Sequence, residues 1–304
     1  MKILRCAEKM RLRFLQGETL HLHSRYKNTV NLIGRGRLLA LQPLDTPATP
    51  LSVILELPGH ALERLWIPEQ EEIRLRPDGL RLGGCNFCFN PATRIYEGRF
   101  PPQPAAAERP QQGGGRIFTV LRSMRLPESF FSALTEADQT LSPLSGIPLA
   151  RSILHRAETA YAADDAPCCA RMLCELLGLG GGLTPGGDDF ILGVLAACDC
   201  AGSSFAQELR PPLAQLVKGN LEKTNRISGE FLRAAADHEY SEPLLHSIRA
   251  LAGMEPWSGQ LERMAAVGHS SGCDTLSGML WLLQTTKGEC IYGDIHGSEK
   301  ECLL

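Results

Sequence analysis

Hydrophobic and polar positions follow two different rhythms along this chain. Over residues 1–100 short apolar runs alternate with turn residues: 29–33, 37–41, 51–57, 72–75 and 80–82. Gly34-Arg35-Gly36, Pro58-Gly59 and Pro77-Asp78-Gly79 punctuate them, which predicts short strands, with a hairpin over 72–82 around Pro-Asp-Gly. From Arg116 onward the apolar positions recur with helical period over 117–124, 130–134, 149–163, 168–177, 190–200, 213–236, 242–252, 260–266 and 275–285. Pro211-Pro212 is expected to start one helix, and Gly178 and Gly253 to end others. Between the two regimes, 101–115 is rich in proline and glycine without periodicity and reads as a linker. The expected fold is α+β: a small antiparallel, barrel-like β domain (1–100), the linker, then a larger all-α domain (116–304).

The helical part contains one stretch whose composition needs an explanation. Residues 178–193 read Gly-Leu-Gly-Gly-Gly-Leu-Thr-Pro-Gly-Gly-Asp-Asp-Phe-Ile-Leu-Gly. Glycines let backbone N–H groups approach a ligand, Pro185 suits the turn or the first helical position, and Asp188 and Asp189 suit an N-cap or first turn. A glycine-rich loop that feeds a helix is a common anion cradle, although a plain helix–helix turn with an Asp cap has the same composition. Neither the P-loop nor the dinucleotide fingerprint is present.

The spacing Gly-x-Asp-x-x-x-Gly occurs twice, as Gly187-Asp189-Gly193 and Gly272-Asp274-Gly278. In a helix the second glycine of each copy lies one turn past its aspartate, where it is costly relative to Ala by about 1 kcal/mol and so needs a reason. The repeat predicts that two helices cross near Gly193 and Gly278 with their N-termini, and hence their positive dipole ends, side by side.

That geometry nominates a site. Gly180, Gly181, Gly182, Gly186, Gly187 and Gly272 would offer backbone amides, and Thr184, Ser270 and Ser271 hydroxyls, to an anion. His269 would polarise a carbonyl or carry a proton, and Asp188, Asp189 and Asp274 would orient a substrate, hold His269 or admit Mg²⁺. Helix capping alone would occupy only two of the three aspartates. Asn225 and Ser228, three apart, would share a face of the pocket or form a polar seam, with Arg226 as the nearest guanidinium.

Bulk properties narrow the classes. A net charge of −3 disfavours broad nucleic-acid or acidic-membrane binding, and no run of about 18 apolar residues exists to span a bilayer. The start, Met1-Lys2-Ile3-Leu4-Arg5, opens no long apolar stretch, so the 11 cysteines read as free thiols of a cytoplasmic protein. Cys85-x-x-Cys88 has no second pair at zinc spacing; no metal site and no cofactor are expected, Mg²⁺ being the one ion the carboxylates leave open.

Gly-Leu-Thr-Pro-Gly-Gly-Asp-Asp-Phe (182–190), Thr-Asn-Arg-Ile-Ser (224–228) and Gly-His-Ser-Ser-Gly-Cys-Asp-Thr-Leu-Ser-Gly (268–278), in this order, resemble a bacterial family long known as a domain of unknown function. Its characterised member is the AllH subunit of oxamate carbamoyltransferase. The chain departs from the family's pattern at Gly186, where a serine is common, and its 101–115 segment is longer than usual. The resemblance implies a subunit of an enzyme of allantoin and purine breakdown. That enzyme moves a carbamoyl group from oxalurate to phosphate, giving oxamate and carbamoyl phosphate, and needs companion subunits. It implies no catalytic residue assignment. A non-catalytic scaffold or regulatory subunit that binds a small anion is the alternative of a different class.

Overall fold

The computed structural model describes residues 1–65, 67, 68, 71–100, 110–124, 126, 129–135 and 146–285, with the side chains of 110–112 excepted. The chain forms two compact units. One comprises residues 1–99 with 239–242, the other 100–238 with 243–304.

The first unit is a curled half-barrel of nine strands: β1 (Ile3–Ala7), β2 (Thr19–Tyr26), β3 (Thr29–Gly34), β4 (Arg37–Gln42), β5 (Ser52–Leu55), β6 (Ile73–Arg76), β7 (Gly79–Leu82), β8 (Cys85–Cys88) and β9 (Arg94–Tyr96). Their order is β8-β7-β6-β2-β3-β4-β5-β1-β9. Single-bridge pairing of Lys2 with Cys88 brings the start of the chain to β8 as well. The 72–82 hairpin forms as expected, with Leu75 opposite Leu80. Two pairings, β4 with β5 and β1 with β9, are parallel, which isolated apolar runs do not encode. Two helices, α1 (Glu8–Leu15) and α2 (Gly59–Arg64), interrupt the strands. Neither shows a start signal in the sequence, because Ala7 and Pro58 at their N-caps offer no side-chain acceptor.

Arg13 of α1 is the polar centre of this unit. Its guanidinium meets Glu18 at 2.7 and 3.0 Å and donates to the carbonyls of Leu38, Arg37 and Gly34. Both side chains are buried, and five donated bonds offset the desolvation of the pair.

The second unit is helical: α3 (Pro110–Met124), α4 (Phe131–Leu134), α5 (Ile147–Ala162), α6 (Ala166–Cys174), α7 (Gly186–Cys200), α8 (Ser204–Gly219), α9 (Arg226–Ala236), α10 (Glu242–Leu251), α11 (Gln260–Ala265) and α12 (Ser271–Thr285). Residues 110–115, expected in the linker, are the first turns of α3; residues 101–109 lie outside the described set. Gly113 is wanted there by packing, since a Cβ would sit 2.3 Å from Leu251 Cδ2. Pro211 and Pro212 fall inside α8, which starts at a Ser203 cap. The expected 213–236 helix is broken by a 3-10 turn at Leu221–Lys223, and α9 restarts at the Asn225 cap. Among the described residues no helix is long and apolar enough to cross a membrane.

Helices α7 and α12 are buried along almost their whole length and cross at the two repeated glycines. A Cβ on Gly193 would lie 1.9 Å from the Thr275 carbonyl oxygen, and one on Gly278 would lie 2.0 Å from that of Phe190. Each helix thus presses a bare backbone turn into the other, as the repeat predicts. Gly193→Ala or Gly278→Ala should therefore destabilise this unit by about 3 kcal/mol or more. Gly115→Ala, where an added Cβ would meet nothing within 4 Å, should be neutral or stabilising by up to about 1 kcal/mol. Urea unfolding of the three variants measures the contrast; equal midpoints would mean the crossing is loose.

Candidate functional site

The same close packing recurs one turn earlier. Gly187 lies against the Leu176 carbonyl after α6, and Gly272 against the Met264 carbonyl of α11, with hypothetical Cβ distances of 2.1 and 1.9 Å. Two helix–loop–helix units, α6–α7 and α11–α12, therefore bring their second helices together by matching contacts. The loop between α6 and α7 is glycine-rich because its backbone must turn tightly: Gly180 has φ +112° and packs on the Gly186 nitrogen.

The helix starts meet through side chains. Thr184 Oγ1 and Ser271 Oγ are 2.7 Å apart, and both hydroxyls lie close enough to the Asp189 carboxyl group to favour its charged form. Asp189 is only 7% exposed, and its Oδ2 is buried without a hydrogen-bond partner among the described residues. Asp274, 2% exposed, accepts the Phe130 backbone N–H at 2.7 Å, and the Ser270 hydroxyl nearby favours its charged form. Its Oδ2 lies beside Gly186, where an added Cβ would come within 3.1 Å. So Asp189 of α7 is met by the first residue of α12, and Asp274 of α12 by the first residue of α7.

Electrostatics follow from this burial. Desolvation, then the Asp274 charge, pushes the Asp189 carboxyl well above the usual carboxylate range, against the pull of Thr184 and Ser271. Desolvation raises Asp274 to about 6, with Phe130 N–H and Ser270 holding it down. Both carboxyl groups therefore bind a proton more tightly than a solvated aspartate does, Asp189 the more strongly perturbed of the two.

The other nominated residues are placed differently. Asp188 accepts the Gly178 N–H at 2.8 Å, the Ser228 hydroxyl at 2.7 Å and the Thr224 hydroxyl, so it fastens three segments together. Asn225 caps α9 by accepting the Ser228 N–H at 3.0 Å, which makes Thr224 to Ser228 a polar seam. Gly180, Gly181 and Gly182 are exposed on the loop, and His269 is exposed on the turn before α12. Of the six amides expected to face an anion, two are engaged inside the chain: Gly187 N–H donates to Leu179 O and Gly272 N–H to Val267 O. Beside the nominated glycines the structure places a buried carboxyl pair, Asp189 and Asp274.

Phe130 and Thr224 were not foreseen in these roles. Phe130 acts through its backbone, 144 positions from Asp274, and no sequence signal reports that. His238 also gains a partner unseen in the sequence: its Nδ1 lies 3.0 Å from both oxygens of Asp199, which pairs with Arg210. Cys85 and Cys88 stand on β8, where a spacing of three turns them to opposite faces. Among the described residues no three His, Cys, Asp or Glu side chains are grouped to hold a metal ion.

Residues 176–283 match the family described as oxamate carbamoyltransferase subunit AllH. The matched stretch begins at the carbonyl on which Gly187 packs and ends within α12, so it takes in the whole crossing and both carboxyl groups. No solved structure matches the chain.

The raised proton affinity sets a pH dependence. Both groups bind a proton more tightly in the folded chain than in the unfolded one, where Asp titrates near 3.9. Their contribution to stability is full below that value, falls as pH rises through about 6 for Asp274, and goes on falling above it for Asp189. Asp189→Asn should accordingly gain stability relative to the native chain on going from about pH 5 to about pH 8. Thermal melts at the two pH values measure it; a constant difference would mean that the group titrates normally.

Proposed function

We propose that this chain is a subunit of an oxamate carbamoyltransferase-like enzyme, in which the Asp189–Asp274 pair manages the protons of carbamoyl transfer between oxalurate and phosphate. The observation that carries the reading is the pair itself, two buried carboxyl groups with raised proton affinity, within the segment that matches the family. Transfer forms a bond from a phosphate oxygen to the ureido carbonyl carbon and breaks the bond from that carbon to the oxamate nitrogen. The phosphate hydroxyl must lose a proton and the departing nitrogen must gain one. In this reading one member of the pair, ionised, takes the first proton while the other, protonated, gives the second, so the pair's proton count is unchanged over the step. The hydroxyls of Thr184, Ser270 and Ser271 sit beside both groups and steady whichever carboxylate is charged.

His269 and Gly180, Gly181 and Gly182 form the exposed side of this arrangement, where an incoming anion such as phosphate or oxalurate would first meet the chain. Companion subunits would complete the enclosure around an incoming substrate. The described cysteines are free thiols, in keeping with a cytoplasmic enzyme.

A second reading has its own support. The carboxyl pair is buried, which suits a scaffold subunit whose pair only fastens the crossing. Reconstitution with candidate companion subunits separates the two. Asp189→Asn and Asp274→Asn keep the shape of each side chain and should each lower carbamoyl transfer by a factor of about 10² or more. Unchanged turnover in an assembled complex of normal stability would leave the scaffold reading.

A further inference from the structure

The outer face of the sheet unit carries a feature that its own packing does not explain. Over β6, β7 and β8 the side chains alternate strictly: Ile73, Leu75, Leu80, Leu82 and Phe87 are buried, while Arg74, Arg76, Arg81 and Asn86 are exposed. The register that sets Leu75 opposite Leu80 and Arg76 opposite Gly79 also sets Arg74 opposite Arg81. Like charges directly opposite each other on one face of an antiparallel pair repel and destabilise it. The neighbouring strands offer no relief, since the row continues as Asn86 on β8 and Thr19 on β2, both uncharged.

Arg76 enlarges the cluster. It stands two residues along β6 from Arg74, on the same face, and Gly79 opposite it leaves that side open. Gly79 is held to glycine by packing, because an added Cβ would lie 1.9 Å from the Phe87 carbonyl oxygen. At the hairpin end Arg11 donates to Pro77 O at 2.8 Å and lies 4.0 Å from the centre of the Phe89 ring. Among the described residues Arg74, Arg76 and Arg81 form no ion pair, although Glu72 and Asp78 are near in sequence. Arg5, Arg13 and Arg99 of the same unit are each paired with a glutamate.

Three guanidinium groups gathered without an acid define a surface that lacks its anion. Their spacing narrows what that anion is. Alternate residues of a strand lie about 7 Å apart, so Arg74 and Arg76 match carboxylates at alternate positions of an extended chain, with Arg81 reaching the first from the side. A nucleic acid fits less well. The whole chain has 34 acidic against 31 basic residues. The ring beside the cluster, Phe89, is already covered by Arg11 and meets Phe14 edge-on, which leaves no platform for a base.

We propose that the face bearing Arg74, Arg76 and Arg81 docks an extended acidic segment of a partner protein, with Glu or Asp at alternate positions. This face lies wholly in the sheet unit and stands whether or not the carboxyl pair is catalytic.

Fluorescence anisotropy of a labelled peptide of alternating Glu and Ser, with four glutamates, tests the docking on the full chain at about 20 mM salt, where surface charges are weakly screened. A peptide with the same residues but its glutamates in one block, and an oligothymidylate of equal charge, are the comparison probes. Saturable binding of the alternating peptide is expected. The double variant Arg74→Gln, Arg81→Gln should weaken it roughly tenfold or more, as should about 0.3 M salt. Arg122→Gln, an exposed change on α3, should leave it unchanged. The block peptide should bind several-fold more weakly. In the free chain Arg81→Gln should raise the thermal midpoint at low salt, and the gain should shrink at high salt, because the opposed pair is relieved. No saturable binding up to about 1 mM would overturn the proposal. It would also fall if the block peptide bound as well, if the oligothymidylate bound as tightly, if Arg122→Gln weakened binding equally, or if Arg81→Gln lowered the midpoint at low salt.

Discussion

Contact between two bare helix backbones is the constraint from which the helical unit is built. Where Gly193 faces the Thr275 carbonyl and Gly278 faces that of Phe190, no side chain can stand between α7 and α12. The approach is close enough to set their first turns against each other. It is this closeness, and not attraction between the groups, that puts Asp189 and Asp274 in one buried place. Two carboxyl groups so confined resist simultaneous ionisation, because each charge would be poorly solvated and would face its like. The raised proton affinity that results is a property of the crossing rather than of either aspartate alone.

The sheet unit resolves a comparable problem by the opposite means. Arg13 and Glu18 are buried with opposite charges, and the remaining guanidinium donors are taken up by carbonyls at the turn between β3 and β4. One unit thus neutralises buried charge by pairing it, the other by binding protons more tightly.

Those parts of the architecture that depend on local chemistry were legible in the sequence. The hairpin at 72–82 was encoded by its turn residues, and the crossing by a spacing that placed two glycines at equivalent helical positions. Features that depend on distant partners were not. Parallel pairing of β4 with β5 needs knowledge of where each strand returns, and α1 and α2 begin without caps. The bond from Phe130 N–H to Asp274 uses a backbone group that every residue possesses. Glycine content misled at 110–115, where α3 uses Gly113 for side-chain clearance and not for bending. At the site the glycines serve close packing as well: Gly187 and Gly272 press on carbonyls, and their own amides are engaged inside the chain. A motif dense in glycine and aspartate is as compatible with two helices pressed together as with a cradle for an anion.

The triple attachment at Asp188 has a mechanical consequence for the glycine-rich loop. Gly178, at one stem, is pinned by the carboxylate of a residue beyond the other stem, and Gly187 N–H closes back on Leu179 O. Any excursion of the loop is thereby confined to its tip, residues 180–183, which projects into solvent between two fixed ends. Such a tip can be rearranged by whatever docks against it while the helices below keep their register, so it acts like a handle on a rigid frame.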